Sequence, residues 1–318
     1  MQKGTLFVTG ASGYIGLNLV KQAVTDGWRV KGLVRSQKSA DRVVRAGGHP
    51  VQGDATVPES WISEVEGATA FVDLAQPKFP KRMSPKNLTF IADFRFSAAQ
   101  NTIEAMVRIP RSERPAYFFI SGADDLQPDG AGRISHSSQL REKHFATSNI
   151  GIPIRQYLER SQIQATYIHF GSLVYGPGKG FANQIVPGLV AGRLPVIGSG
   201  ANKLPVVHVL DAVRAVSHVA ALPVSERLEK TFLVTDGSDF SQEDFLRSAA
   251  ALIDAPRPKS VPAWVVALMI GKPLTDLMKL DVSTDNSALL KSGFSFLYPS
   301  PGDGFPPTLL ALGYRLAA

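Results

Sequence analysis

The chain has 318 residues, 44% hydrophobic and 19% charged, the balance of a folded globular protein rather than a disordered one. It has no cysteine, which excludes disulfides, thiolate metal sites and cysteine nucleophiles. The net charge is +7, but the Lys and Arg residues are scattered, so a nucleic-acid stripe is not expected and an anionic small ligand suits the excess.

Residues 5–16, TLFVTGASGYIG, form the strongest local pattern. A strand from Thr5 to Val8 enters glycines at 10, 13 and 16, and Leu17, Val20 and Val24 share one face of a helix over Tyr14 to Val24. A strand, a glycine turn and a helix start make an anion site suited to a pyrophosphate. Thr9, Gly10, Ser12, Gly13, Tyr14, Ile15 and Gly16 are therefore candidate cofactor residues. The chain enters this strand with no basic, apolar and small-residue leader before it, and a cytoplasmic location is expected.

The second strand, Arg29 to Val34, ends at Arg35 with Lys38 nearby and no acid before Asp41. An acid at this strand end would accept from a ribose hydroxyl of NAD, whereas an arginine accommodates the extra phosphate of NADP; the pattern favours NADP over NAD. A helix near Ser39 to Ala46 leads to a short third strand and Asp54, placed either to accept from an adenine amino group or to cap a helix over Ser60 to Val65. The fourth strand, 70–74, has Ala75 and Gln76 at its carboxyl end, where ligands sit in such sheets.

A long helix is expected over Ser84 to Val107, then a fifth strand, Ala116 to Ile120, ending at Ser121 and Gly122. Residues 123–138 have loop composition and stand where a substrate lid would. In this loop Asp124 and Asp125 read as solvated turn residues. A helix over about Gln139 to Arg160 precedes a sixth strand, Ala165 to Phe170. The alternation predicts a doubly wound parallel α/β sheet of Rossmann type over 1–174. Residues 175–318 read as a smaller, mixed substrate lobe that returns segments to the sheet, with helices at 181–191, 209–222 and 241–252. The apolar run 261–270, VPAWVVALMI, is too short to span a membrane and is expected to pack as a helix. No metal site is expected.

At five points in order the chain resembles the extended, or atypical, short-chain dehydrogenase/reductase superfamily of NAD(P)-dependent epimerases, dehydratases and reductases. TGASGYIG at 9–16 is similar to TGxxGxxG, and GDATVPESW with VEGATAFVDLA to the third- and fourth-strand segments. GSLVYGPG at 171–178, VVHVLDAV at 206–213 and GFSFLYPSPGDGF near the end resemble later landmarks. The resemblance implies a Ser or Thr, a Tyr and a Lys in catalysis, but those positions fall near Gly122, Thr147 and Gly151. Tyr175 to Lys179 is a literal YxxxK, yet its Gly-Pro-Gly cannot put both side chains on one helical face.

On the helix expected near 139–160, Lys143, His144 and Thr147 are the candidate catalytic groups, with Ser121 to orient a carbonyl. His169, His208 and Asp211 read as structural. Leu204, beside Lys203, stands where sugar-nucleotide relatives place a phosphate-binding Arg, so a smaller or more apolar carbonyl substrate is favoured. Three functions follow: an NADP-dependent oxidoreductase of a small or apolar carbonyl or enone, a silent NADP(H) sensor or scaffold, and a sugar-nucleotide epimerase or dehydratase. The expected partner is a small-molecule substrate, with a homodimer as the expected assembly if there is one.

Overall fold

The computed structural model describes residues 3–178 and 180–317. The first strands are β1 (Thr5–Thr9), β2 (Arg29–Val34), β3 (His49–Gln52), β4 (Ala70–Asp73) and β5 (Ala116–Gly122). Then come a short β6 (Arg133–Ile134), β7 (Ala165–Phe170), β8 (Leu173–Tyr175), β9 (Val196–Ile197), β10 (Val206–His208), β11 (Thr231–Val234), β12 (Ser260–Val261) and β13 (Ser283–Thr284). Seven strands build one parallel sheet in the order β11-β7-β5-β4-β1-β2-β3, a doubly wound Rossmann-like fold. Strands at its centre are apolar runs buried on both faces, as parallel sheets require: all of β4 and all of β7 are buried.

Helices α1 (Tyr14–Thr25), α2 (Gln37–Arg45), α3 (Pro85–Val107) and α4 (Ile152–Arg160) make the crossovers of the first half. Leu19 and Val20 of α1 share one core with Val213 and Val216 of the helix Val209–Ala221. On the other face Ile103 and Leu158 close over Phe7, Trp61 and Phe71, whose rings stack. Trp61 also donates to the Asp54 carbonyl at 2.7 Å, which fixes the loop after β3. A third core, around Tyr175, Phe181, Phe245 and Phe305, belongs to the later part of the chain. That part returns β11 to the sheet beside β7.

At the carboxyl ends of β1 and β4, beside β5, lies a polar knot. Asp73 accepts from Thr9 at 2.9 Å, Arg95 at 3.0 Å and Tyr117 at 2.8 Å, all within the core. The Thr9 hydroxyl accepts in turn from the backbone N–H groups of Leu74 and Ala75, and Arg95 also donates to the Ala75 carbonyl. Burial alone would raise the Asp73 pKa; the Arg95 charge and the three hydrogen bonds outweigh it and hold the carboxyl below its usual range.

The structure departs from sequence expectation in four places. The helix over 139–160 shrinks to α4, and 139–151 is a chain of turns, because Asp124 captures the Thr147 N–H at 2.9 Å and Gly151 with Pro153 starts the helix late. Residues 60–65 form two short 3-10 turns, Pro58–Ser60 and Ile62–Val65, instead of a helix. Asp124 and Asp125 are not solvated: they are 2% and 1% exposed. The run 261–270 is indeed helical, over Ala263–Ile270, but it buries only Val266 and exposes Trp264, Leu268 and Met269, because no further layer covers it.

His208 and Asp211 serve the architecture. His208 caps the helix Val209–Ala221 and pairs with Thr308 at 3.0 Å, and burial lowers its pKa to about 4. Asp211 accepts from the N–H groups of Leu297 and Tyr298 at 2.7 and 2.8 Å. Tyr175 is buried in the third core, and Lys179 lies outside the described residues. Among the described residues no helix is long and apolar enough to cross a membrane, and none of their His, Asp and Glu side chains cluster to hold a metal ion.

The Asp73–Arg95 pair makes a signed prediction. In the native protein its contribution is present above the ordinary carboxyl pKa and is lost as pH falls through the lowered value of the folded state. Arg95→Met strands a buried carboxylate and should cost about 3–5 kcal/mol in urea unfolding near neutral pH. The variant's stability should then fall with rising pH, the reverse of the parent pair's dependence.

Candidate active site

Gly10 follows β1 with φ +64°, and a Cβ there would stand 2.3 Å from the Leu74 carbonyl oxygen. Only glycine passes this crossing of β1 and β4. Gly16 is the second close approach, its Cβ falling 2.2 Å from the Gly10 carbonyl oxygen and so allowing α1 to lie on the loop. The helix begins at Gly13 with no side-chain cap, whereas α2, α3, Gln242–Ala251 and Pro301–Ala311 start on Ser36, Ser84, Ser241 and Ser300 caps. The N-terminus of α1 is thus left open to an anion.

That open end faces a cleft of about 1070 Å³ along the carboxyl edge of the sheet. Gly10, Ser12, Gly13, Tyr14, Ile15 and Gly16 line it, and so do Arg35 and Asp54 beyond β2 and β3 and Ala75 and Gln76 after β4. The buried Tyr14 hydroxyl has no partner among the described residues. Arg35 reaches out from the end of β2, 73% exposed, with its guanidinium 3.8 Å from Asp54. Asp54 does not cap a helix; it accepts from the N–H and hydroxyl of Thr56, bonds that together with Arg35 keep its pKa low.

Two expected residues lie elsewhere. Thr9 is buried in the Asp73 knot and does not line the cleft. Lys38 is exposed on α2, while Ser36 and Ser39 border the cleft instead.

Further along the cleft stand Ser121, Asp124, Asp125 and Thr147. Asp124 accepts from both the N–H and the hydroxyl of Thr147, at 2.9 and 2.8 Å. Asp125 Oδ2 has no hydrogen-bond partner among the described residues. Burial raises the pKa of Asp124, and burial with the Asp124 charge raises that of Asp125 well above the carboxylate range. Like charges in one buried site resist ionising together, and Asp125 is the member held protonated. Lys143 and His144 are exposed, outside any helix, and the structure does not bring them to the cleft.

His169 stands behind this pair. Its Nδ1 donates to the Gly122 carbonyl at 3.0 Å, so Nε2 is the acceptor for the Arg155 guanidinium at 3.1 Å. Burial and Arg155 lower its pKa to about 3. The ring is therefore neutral, and its 3.9 Å approach to Asp125 is no ion pair.

The acids also explain the glycines at the altered positions. A Cβ on Gly122 would stand 2.4 Å from Asp124 Oδ1, and one on Gly151 would stand 2.1 Å from both Asp125 Oδ2 and Ser121 Oγ. The sequence signal was the pairing of two adjacent acids with two glycines, visible only once the fold joins positions 125 and 151.

A family model described as the NAD dependent epimerase/dehydratase family matches residues 6–234. The chain belongs to this family. It has the NAD(P)-binding fold of that family and of the extended short-chain dehydrogenases/reductases. It is 27% identical over 265 residues to a ceramide reductase of Caulobacter vibrioides, a span of 82% of this chain and 74% of that protein. With a chloroplastic SDR39U1 homolog of the epimerase family from Arabidopsis thaliana it shares 32% identity over 112 residues, 35% of this chain and 32% of that one. The first curated relatives are thus matched over a third or less of their length. Human SDR39U1, crystallised with NADPH, superposes with a TM-score of 0.76 at 17% identity, covering 96% of this chain and 98% of that one. A UDP-glucuronic acid 4-epimerase from Bacillus cereus gives 0.76 at 13% identity over 97% and 99%. At these identities the two structures share the fold.

The crowding at Gly151 is testable. Its φ of −89° suits any residue, so the cost of a side chain there is purely steric. Gly151→Ala should lower the melting temperature by several degrees and disturb the acid pair, whereas a control Gly130→Ala, with open space around it, should do neither.

Proposed function

We propose that this chain is an NADP-dependent oxidoreductase that reduces a small or apolar carbonyl or enone, with protonated Asp125 as the acid. The observation that carries this reading is the buried acid pair, lining the same cleft as the glycine loop. The uncapped start of α1, the orphaned Tyr14 hydroxyl and the Gly10 crossing fit a dinucleotide. When bound, that group supplies the hydride.

In this reading the main-chain N–H groups from Ser12 to Ile15 hold the pyrophosphate, and Arg35 with Ser36 meets the phosphate that distinguishes NADP. Asp54, Ala75 and Gln76 border the adenosine half. Ser121 donates to the substrate oxygen and orients it. The Asp125 O–H then gives its proton to that oxygen and is left a carboxylate, to be reprotonated from water after product leaves. Thr147 keeps Asp124 engaged, so Asp125 is the member free to act. Residues 1–174 carry the dinucleotide side and 175–318 complete the substrate side of a cytoplasmic enzyme that functions as a monomer or a homodimer. A sugar nucleotide fits less well, because Leu204 is buried and Lys203 is paired with Asp239 at 3.1 Å.

Titration with NADPH and NADH, followed by a screen of carbonyl and enone substrates, tests the reading. Arg35→Ala should weaken NADPH roughly tenfold or more and leave NADH almost unchanged. Equal losses for both would remove the phosphate assignment. Tight NADPH binding without oxidation by any substrate would make the protein a sensor.

The acid has its own signature. Turnover should fall as pH rises through the raised pKa of the pair, because only the protonated form donates. Asp125→Asn should lower kcat by about 10²-fold or more and abolish that pH limb, with NADPH affinity intact. A variant that keeps its rate and pH profile would exclude Asp125 as the proton source.

A further inference from the structure

We propose that the protein docks on an anionic bilayer surface through the exposed helix Ala263–Ile270 and the basic segment beside it, with the mouth of the cleft toward the lipid. The helix presents Trp264, Leu268 and Met269 to solvent at 68%, 63% and 60% exposure, an unusual outlay for a protein whose other two tryptophans are buried. A helix with a broad apolar face and cations at its border lies in a membrane interface, where Trp is favoured, without crossing it.

The helix is joined to the cleft at two points. Its end is tied to the β4–α3 loop, where Arg82 donates to the Leu268 carbonyl at 3.0 Å and the Met83 N–H to the Ile270 carbonyl at 2.8 Å. The same loop contributes Lys78 and Phe79 to the cleft, and the following helix, Lys272–Met278, contributes Leu277. Phe90 of α3 lines the cleft while 64% exposed, so it stands on the rim. The apolar helix and the apolar rim therefore belong to one side of the molecule.

Charge selects the occupant. Residues 76–92 carry Lys78, Lys81, Arg82 and Lys86 and no acid, and all four cations are exposed. Among the described residues none of the four forms an ion pair. From 255 to 275 there is again no Asp or Glu. A face that combines protruding Trp and Leu with unpaired Lys and Arg matches anionic headgroups over acyl chains. It matches a polar protein surface poorly, since that would leave the apolar residues wet. Substrate class follows if the chain is a reductase as proposed above: an amphiphile that enters the cleft from the lipid.

Flotation of the full chain with phosphatidylcholine vesicles, alone and with phosphatidylglycerol, tests docking without any substrate. Binding should appear with the anionic vesicles and fall with salt. Trp264 is the exposed one of the three tryptophans, so its emission should shift to shorter wavelength on binding. The triple variant Trp264→Ser, Leu268→Ser, Met269→Ser and the pair Lys81→Glu, Arg82→Glu should each lose at least about tenfold in vesicle partitioning while keeping NADPH affinity. No flotation with anionic vesicles, or flotation indifferent to both sets, overturns the proposal. So does concentration-dependent dimerisation without lipid that shields Trp264 from a soluble quencher, which would assign the face to a second copy. Failure of the reductase reading is separate: vesicle binding with no turnover leaves docking intact and removes only the substrate class.

Discussion

A single buried ion pair, Asp73 with Arg95, sets the geometry on which the cleft depends. Its carboxylate ties together three neighbouring strands through Thr9, Tyr117 and its own β4, and Arg95 brings α3 to the same point. Such a pair is a weak source of net stability, since each charge forfeits its hydration. Its value is positional: the Leu74 and Ala75 N–H groups are drawn to Thr9, and that fixes the strand end beside Gly10, where a Cβ would stand 2.3 Å from the Leu74 carbonyl oxygen. The glycine loop is therefore open in the right direction because a polar knot below it is closed.

Elements governed by local chemistry were legible in the sequence. Continuous apolar runs gave the central strands, Ser84 with Pro85 marked the start of α3, and the three glycines marked the turn before α1. Where tertiary contacts decide the local structure, the sequence misled. Residues 139–151 have helical spacing, yet the Asp124 carboxylate takes the Thr147 N–H that a helix would need. Thr9 belongs to the glycine motif by position, but its hydroxyl faces the core. Lys143 and His144 would share a face only on a helix that does not form, and both are exposed away from the cleft.

Asp124 and Asp125 show why composition fails at such a site. Two acids beside glycines in a polar loop normally mean a solvated turn. Here the loop is fastened down: β6 pairs with β13, Leu126 bridges to Leu140, and Arg141 donates to the Asp124 carbonyl. Ser121 sits in β5 opposite His169 of β7, so the hydroxyl and the acids share one rigid frame. In place of a tyrosine with a neighbouring lysine, this chain holds a carboxyl whose pKa is raised by burial and a neighbouring anion.

Raising a carboxyl's pKa requires a site that water does not flood, and this requirement links the two ends of the cleft. At the Arg35 end the lining is charged and open. Near the acids Ile120 and Ile150 contribute to the walls, and Phe79, Phe90 and Leu277 continue toward the rim. An apolar substrate lying along those side chains would displace water from the acids it needs, strengthening the desolvation that keeps them protonated. A polar sugar nucleotide would carry its hydration into the same space and weaken it. In the reading proposed above, the acid pair and the apolar rim act together and favour a substrate that leaves water behind.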